Sequence, residues 1–333
     1  MTVVDTAPAR FPGHLHPAYT TGPRPLTVVA LERLAGDVLH ITLADPDGAV
    51  LAPYQPGSHL VVTAGEKRNA YSLTGADLNP VAYEISVLRV PDGGGGSVWL
   101  HENLTVGATL EVEGPRCHFP PVAGQRHALL VAGGIGVTPI LSHARAIARA
   151  RGTAEIIYSY RPGHDAHVEE LRELARRPGI ELFEVTGIPE TRALIAERFA
   201  AQPLGTHAYA CGPAPMLETY TELARAAGWP EARVHLERFA APEQDPGEPF
   251  TARIASTGQV IEVPSGVSLL QRLLDEGVAV NNLCRQGVCG ECRIPVRSGR
   301  IEHRDFVLTA DERAAGDAML CCVSRGCDLE LDL

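Results

Sequence analysis

Cys284, Cys289 and Cys292 lie together in the run CRQGVCGEC, and Cys322 follows in LCCVSRG with 29 residues between Cys292 and Cys322. The spacing C-x4-C-x2-C plus one distant cysteine suits a [2Fe–2S] cluster of the plant type, with three thiolates from one tight loop and a fourth from a separate strand. Such a cluster is negatively charged, so its loop must turn backbone N–H groups inward. Gly287 and Gly290 allow that curl where a side chain would resist it. A zinc knuckle would use two C-x2-C pairs or Cys/His pairs, and this run holds one C-x2-C. Disulfides fit less well, because three cysteines within nine residues can scarcely pair among themselves and the chain shows no secretory signal. Cys321, beside Cys322, competes for the fourth position, and adjacent strand residues point opposite ways. Cys117, Cys211 and Cys327 have no ligand spacing.

Two further groups of residues could handle phosphate and a redox ring. In RNAYSL, Arg68 to Leu73, an arginine can grip a phosphate, the Ser72 hydroxyl can hydrogen-bond to a flavin, and the Tyr71 ring can pack beside it. DGGGGSVWL, Asp92 to Leu100, is a Gly-rich turn opening a short helix, with Gly96 and Ser97 where backbone amides could meet phosphate. Farther on, HALLVAG runs into GIGVTPI, so that Gly133, Gly134 and Gly136 stand where a strand becomes a helix, with Thr138 as N-cap and Pro139 as first helical residue. A pyrophosphate could approach this backbone and the positive helix end. The motif departs from GxGxxG, since Pro139 takes the place of the third glycine. Cys211-Gly212-Pro213 is expected at the C-terminal end of another strand, where open α/β sheets place ligands.

The elements that must position these groups follow from the patterning. The chain has 333 residues, 45% of them hydrophobic, and a net charge of −11. That length suits two or three cores. The acidic balance argues against a nucleic-acid partner. No apolar run reaches the ~18 residues of a membrane span, and the N-terminus lacks a signal pattern, so a cytoplasmic protein without membrane contact is expected. Residues 1–24 are Pro-rich and polar and read as an arm. Over 25–123, short Val-, Leu- and Thr-rich runs separated by Gly and Pro turns predict an antiparallel β-barrel. Over 124–239, apolar strands alternate with helical patterns and predict a doubly wound α/β unit. Residues 240–248 read as a Pro- and acid-rich linker. Residues 249–333 hold a hairpin, the helix LLQRLLDEG and the cysteine loop.

In this order the modules resemble the phthalate dioxygenase reductase family, which includes the vanillate demethylase reductases, over residues of about 25 to 333. The motifs that carry the resemblance are RNAYSL, GGIGVTPI, CGPAPM, HLERF at His235 to Phe239, CRQGVCGEC with CVSR, and the terminal LDL. The resemblance implies a flavin barrel, a nicotinamide unit and a C-terminal β-grasp ferredoxin. It implies FMN at Arg68, Tyr71 and Ser72, at the strand Ser86, Val87, Leu88, and at the Gly96-Ser97 turn. It implies NADH at Gly134, Gly136, Thr138, Cys211 and Gly212, and a [2Fe–2S] cluster at Cys284, Cys289, Cys292 and, by its CVSR context, Cys322. Ser72, Cys211 and Glu237 would then act at the reacting centre, with Phe239 near the flavin. Arg161, after the second α/β strand, could meet a 2′-phosphate, which leaves NADPH open. The implied activity is electron delivery from NADH through flavin and cluster to a terminal oxygenase or demethylase of Rieske type. A cytochrome P450 is the alternative acceptor, and an iron–sulfur redox sensor is a third reading.

Overall fold

The computed structural model describes residues 22–75, 78–241 and 244–333. Most of the arm expected over 1–24 therefore lies outside the described residues, and Arg24 already opens the first strand. Strands β1 (Arg24–Leu34), β2 (Val38–Ala44), β3 (Ser58–Ala64), β4 (Lys67–Ser72), β5 (Ala82–Leu88) and β6 (Thr109–Cys117) form one antiparallel sheet in the order β4-β3-β6-β1-β2-β5. Its ends meet: Leu73 bridges Ile85, and Thr74 N–H donates to the Glu84 carbonyl at 3.0 Å. Closure removes the free edge and makes a barrel. Leu26, Ile41, Leu60, Val62, Ile85 and Val112 fill it, and helix α1 (Gly96–Asn103) lays Leu100 over one mouth.

The next unit is a five-stranded parallel sheet. Strands β7 (His127–Gly133), β8 (Thr153–Ser159), β9 (Ile180–Val185), β10 (Thr206–Cys211) and β11 (Val234–Glu237) take the order β11-β10-β7-β8-β9. Side chains alternate across each strand, so Leu130, Ala132 and Ile156 face helices α2 (Val137–Arg149) and α3 (Val168–Ala175), while Leu129, Val131 and Ile157 face α4 (Ile188–Ala200) and α5 (Ala214–Ala226). Helices on both faces make the sheet doubly wound. The strand order reverses between β7 and β10, which places the ligand crevice at their C-terminal ends. Thr138 differs from its expected role. Gly134–Gly136 form a 3-10 turn, α2 begins at Val137 with Gly136 as its cap, and the Thr138 hydroxyl donates to the Ile135 carbonyl at 3.1 Å.

The last unit orders β12 (Phe250–Ile254), β13 (Val260–Val263), β14 (Arg293–Glu302), β15 (Ala318–Leu320) and β16 (Arg325–Leu331) as β13-β12-β16-β14-β15. β12 and β16 are parallel and the other pairs antiparallel, with α6 (Leu269–Asp275) packing Leu269, Leu270 and Leu273 onto the sheet. This mixed sheet grasping a helix is the β-grasp arrangement. A short helix α7 (Ala310–Ala315) carries a capping box from Thr309 and Glu312. Arg325 is buried and donates to the carbonyls of Glu248, Pro264 and Val267, which fastens the end of the preceding segment to this unit.

The barrel and the parallel sheet meet through polar side chains. Ser86 Oγ lies 2.8 Å from His40 Nδ1 and 2.7 Å from His167 Nε2, and His167 Nδ1 reaches Glu170 at 2.5 Å. Arg145 joins Glu84 at 3.0 Å, pairs with Glu170 and donates to the Thr74 carbonyl. Burial alone would raise Glu170; the His167 hydrogen bond, then the charges of His167, Arg145 and His40, outweigh it and hold the carboxyl at about 2. Among the described residues, no helix is long and apolar enough to cross a membrane.

Candidate functional site

The cysteine loop curls as its glycines predict, with Gly287 at φ 72° and Gly290 at φ 81°. The curl turns amides inward: Gln286 N–H donates to Cys284 Sγ at 3.3 Å, and the Gly287 amide faces the Cys322 sulfur. Hydrogen bonding from Cys289 draws the Cys284 thiol down to about 6, and bonding from Cys321 and Cys322 draws Cys292 down to about 3. The four expected sulfurs therefore fall into two neighbouring pairs, 284 with 289 and 292 with 322. Two thiolates for each of two irons is what a [2Fe–2S] cluster requires. Among the described residues, no three Cys, His, Asp or Glu side chains are arranged to hold a single metal ion. Cys321 also adjoins Cys292, but its thiol donates to the Cys292 carbonyl at 3.2 Å and the residue is fully buried in the apolar core.

A cavity of about 690 Å³ lies between this loop and the barrel. His59, Arg68, Ser72 and His118 line it from the barrel, Glu237 and Phe239 from the end of β11, and Cys284, Cys289 and Glu291 from the loop. Burial, with His118 and Arg116 adding to it, holds His59 down at about 4, so this imidazole is neutral at pH 7. Glu237 Oε2 is inaccessible and has no partner among the described residues. Burial pushes that carboxyl up to about 8. Tyr71 OH is likewise buried without a partner, and burial raises it to about 12. Orphaned buried polar atoms cost free energy unless a partner arrives, and Glu237, which lines the cavity, sits where a polar ring system would supply one.

Strand parity divides the RNAYSL residues. Arg68, Ala70 and Ser72 share one side of β4 and line the cavity; Asn69, on the alternate side with Tyr71, lines it too, whereas Tyr71 packs against the barrel core. A Cβ at Gly96 would lie 2.5 Å from Asn69 Oδ1 and 3.5 Å from Lys67 Cβ, so Asn69 and Lys67 adjoin the Gly-rich turn. Arg68 instead pairs with Glu113. The residues facing the expected phosphate turn are therefore Lys67 and Asn69, which the motif reading passed over because the packing of the turn on β4 decides that neighbourhood. Ser97 Oγ accepts from Val90 N–H at 3.1 Å and closes the turn. Val87 lies in the barrel core with its carbonyl against His101 Nε2 at 2.8 Å, and the Ser86 hydroxyl is committed to His40 and His167. Ser86, Val87 and Leu88 thus offer backbone rather than side chains.

At the sheet's switch point, Gly136 packs against β10 so closely that a Cβ would lie 2.2 Å from the Cys211 carbonyl oxygen. Gly134, at φ 51°, has open space above it. Cys211 pairs in register with Glu237 across β10 and β11, and Gly212 lies against Gly133. Gly134, Gly136, Cys211 and Gly212 thus lie together at the strand ends, with Cys211 beside Glu237, which lines the cavity. Arg161 is exposed just beyond β8, while the nearby Glu184 is engaged by Arg172 and Tyr160.

Comparison with known proteins agrees with this geometry. Residues 252–326 match the 2Fe-2S iron-sulfur cluster binding domain, and residues 116–234 match the dimethylamine monooxygenase subunit DmmA-like N-terminal domain. The heme-dependent oxidative N-demethylase beta subunit of Ectopseudomonas mendocina is 41% identical over 281 residues, covering 84% of this chain and 88% of that one. Phthalate dioxygenase reductase of Burkholderia cepacia is 34% identical over 314 residues, covering 92% and 96%. A solved phthalate dioxygenase reductase, described as modular for electron transfer from pyridine nucleotides to [2Fe-2S], superposes with TM-score 0.70 at 33% identity over 94% of this chain and 98% of that one. An intact type IV self-sufficient cytochrome P450 monooxygenase superposes with TM-score 0.78 at 34% identity, covering 93% of this chain and 41% of the longer protein. With identity above 30% sustained over more than nine-tenths of its length, the chain belongs to the phthalate dioxygenase reductase family.

Proposed function

We propose that the chain is the reductase component of an oxygenase or demethylase system, taking electrons from NADH through FMN to a [2Fe–2S] cluster and on to a separate terminal protein. The observation that carries this is the cavity shared by Ser72, Glu237 and the cysteine loop, which brings the flavin side and the cluster side into one space. Flavin, when bound, supplies the change from a two-electron hydride donor to one-electron steps. Its sequence resemblance favours FMN. The units divide at 25–123, 124–239 and 249–333, joined by 240–248, and work in the cytoplasm.

The chain's own residues hold and orient. Lys67 and Asn69 with the Gly96-Ser97 turn receive the flavin phosphate. Ser72 presents its hydroxyl at the cavity wall, and Tyr71 packs from the other side of β4. Gly134, Gly136 and the start of α2 receive the pyrophosphate of NADH, and Cys211 with Gly212 places its nicotinamide end. Glu237 holds a proton at neutral pH and donates it as a hydrogen bond into the site. Phe239 covers the cavity mouth. Cys284, Cys289, Cys292 and Cys322 hold the cluster, and inward amides offset its charge. Replacing Cys289 with Ala tests the order of carriers: reduction of the flavin by NADH persists in anaerobic rapid mixing while transfer to an external one-electron protein acceptor is lost. Loss of both together would overturn the assignment.

The acceptor is a terminal oxygenase or demethylase of Rieske type. A haem acceptor, a P450 included, is the second reading, favoured by the haem-dependent relative and by the P450 that carries a similar module.

A further inference from the structure

We propose that Arg68, Glu113, Arg116 and Glu291 form a positioning relay that holds the cysteine loop against the barrel wall of the cavity; the proposal rests on the electron route given above. Arg68 pairs with Glu113, Arg116 joins the same carboxylate at 3.0 Å, and Arg116 also pairs with Glu291. Arg68 stands on β4 and lines the cavity, Glu113 and Arg116 stand on β6, and Glu291 lies between Gly290 and Cys292. Charges therefore alternate along an unbroken path from the wall beside Ser72 to the loop bearing three of the four expected ligands.

Isolated surface pairs contribute little because water screens them and long side chains lose freedom. This set differs in two respects. The shared members are half-buried, Glu113 at 14%, Glu291 at 24% and Arg116 at 31% side-chain exposure, so screening is weaker. Each inner member also has two partners, so fixing one side chain fixes the next. Glu291 moves with the curled loop on either side of it, and its placement sets where Cys284 and Cys289 face the cavity. None of the four is needed as a ligand; their part is alignment of the two sides.

The test uses the full chain loaded with flavin and cluster, mixed anaerobically with NADH while the flavin and iron–sulfur bands are followed separately. Arg116→Glu sets like charges together and is expected to slow cluster reduction roughly tenfold, with flavin reduction unchanged and both cofactor contents at wild-type levels. The double variant Arg116→Glu, Glu291→Arg restores an opposite-charge pair and is expected to regain most of the rate, which a merely structural role of Arg116 would not produce. Amide hydrogen exchange over residues 284–292, measured before reduction, rises in the single variant and returns in the double. An unchanged rate in the single variant, or a double variant no faster than the single, overturns the relay. If the wild-type cluster is not reduced by NADH at all, the electron route falls, and the exchange data alone then decide whether the relay holds the loop.

Discussion

Glu237→Gln isolates the cost of a buried carboxylate. In the folded chain this carboxyl is raised from 4.5 to about 8 by burial. The unfolded chain loses the proton near its ordinary value, so between pH 4.5 and 8 the folded state binds more protons. Stability therefore falls as pH rises through that window and is constant beyond it. At pH 7 the accumulated penalty is ~3 kcal/mol, from ~1.4 kcal/mol per pH unit over the ~2.5 units between 4.5 and 7. Glutamine keeps the shape and carries no proton to lose. The variant is therefore expected to match the parent near pH 4.5 and to be more stable by ~3 kcal/mol at pH 7. Urea unfolding of the cofactor-free full chain, followed through Trp229 with Trp99 changed to Phe, reports the parallel-sheet unit that carries Glu237. A stability difference that does not grow between pH 5 and pH 8 would refute the reasoning, because it would mean that the carboxyl finds a charged or solvated partner. In the loaded protein, the same substitution is expected to flatten the pH dependence of flavin reduction by NADH around pH 8.

Cys322→Ala is expected to abolish the iron–sulfur visible bands, whereas Cys321→Ala retains them, since the Cys321 thiol is spent on the Cys292 carbonyl; cluster absorbance of the purified variants decides, and the reverse pattern would exchange the two roles. Gly136→Ala places a Cβ 2.2 Å from the Cys211 oxygen, against backbone that cannot yield easily. It is expected to cost ~1–3 kcal/mol and to raise the KM for NADH. Gly134→Ala, with open space but φ 51°, costs ~1 kcal/mol from backbone strain alone. Thermal unfolding of the two variants side by side separates collision from strain, and equal effects would mean that the Gly136 contact relaxes.

The parts legible in the sequence are those whose geometry is local. Three cysteines within nine residues and two left-handed glycines determine one loop, so the three-thiolate loop is legible before any fold, whereas the pairing of Cys292 with the distant Cys322 is not. Continuous apolar strands such as HALLVAG announced a parallel sheet because both faces are covered. Helix α4 passed unread, since its buried residues, Thr191, Ile195 and Phe199, make a narrow stripe at intervals of four. Arg68 suits a phosphate by type, and the fold places it on the cavity wall paired with Glu113, while Asn69 and Lys67 adjoin the Gly-rich turn, a neighbourhood that the packing of the turn on β4 decides. Ser86 illustrates a different limit. Its partner His167 is 81 positions away, and only the packing of α3 on the barrel brings them together. Thr138 fits an N-cap by type, but with the 3-10 turn ahead of it the helix starts two residues earlier.

Flavin and cluster are expected to lie on one working electron path fed by NADH. Anaerobic titration of the purified, cofactor-loaded protein with NADH, recorded by visible absorbance after the released flavin has been identified by chromatography, tests it most directly. FMN in the extract and bleaching of both the flavin and the iron–sulfur bands are expected as NADH is added. Bleaching of the flavin bands alone, with the iron–sulfur bands unchanged at excess NADH, would contradict a single path.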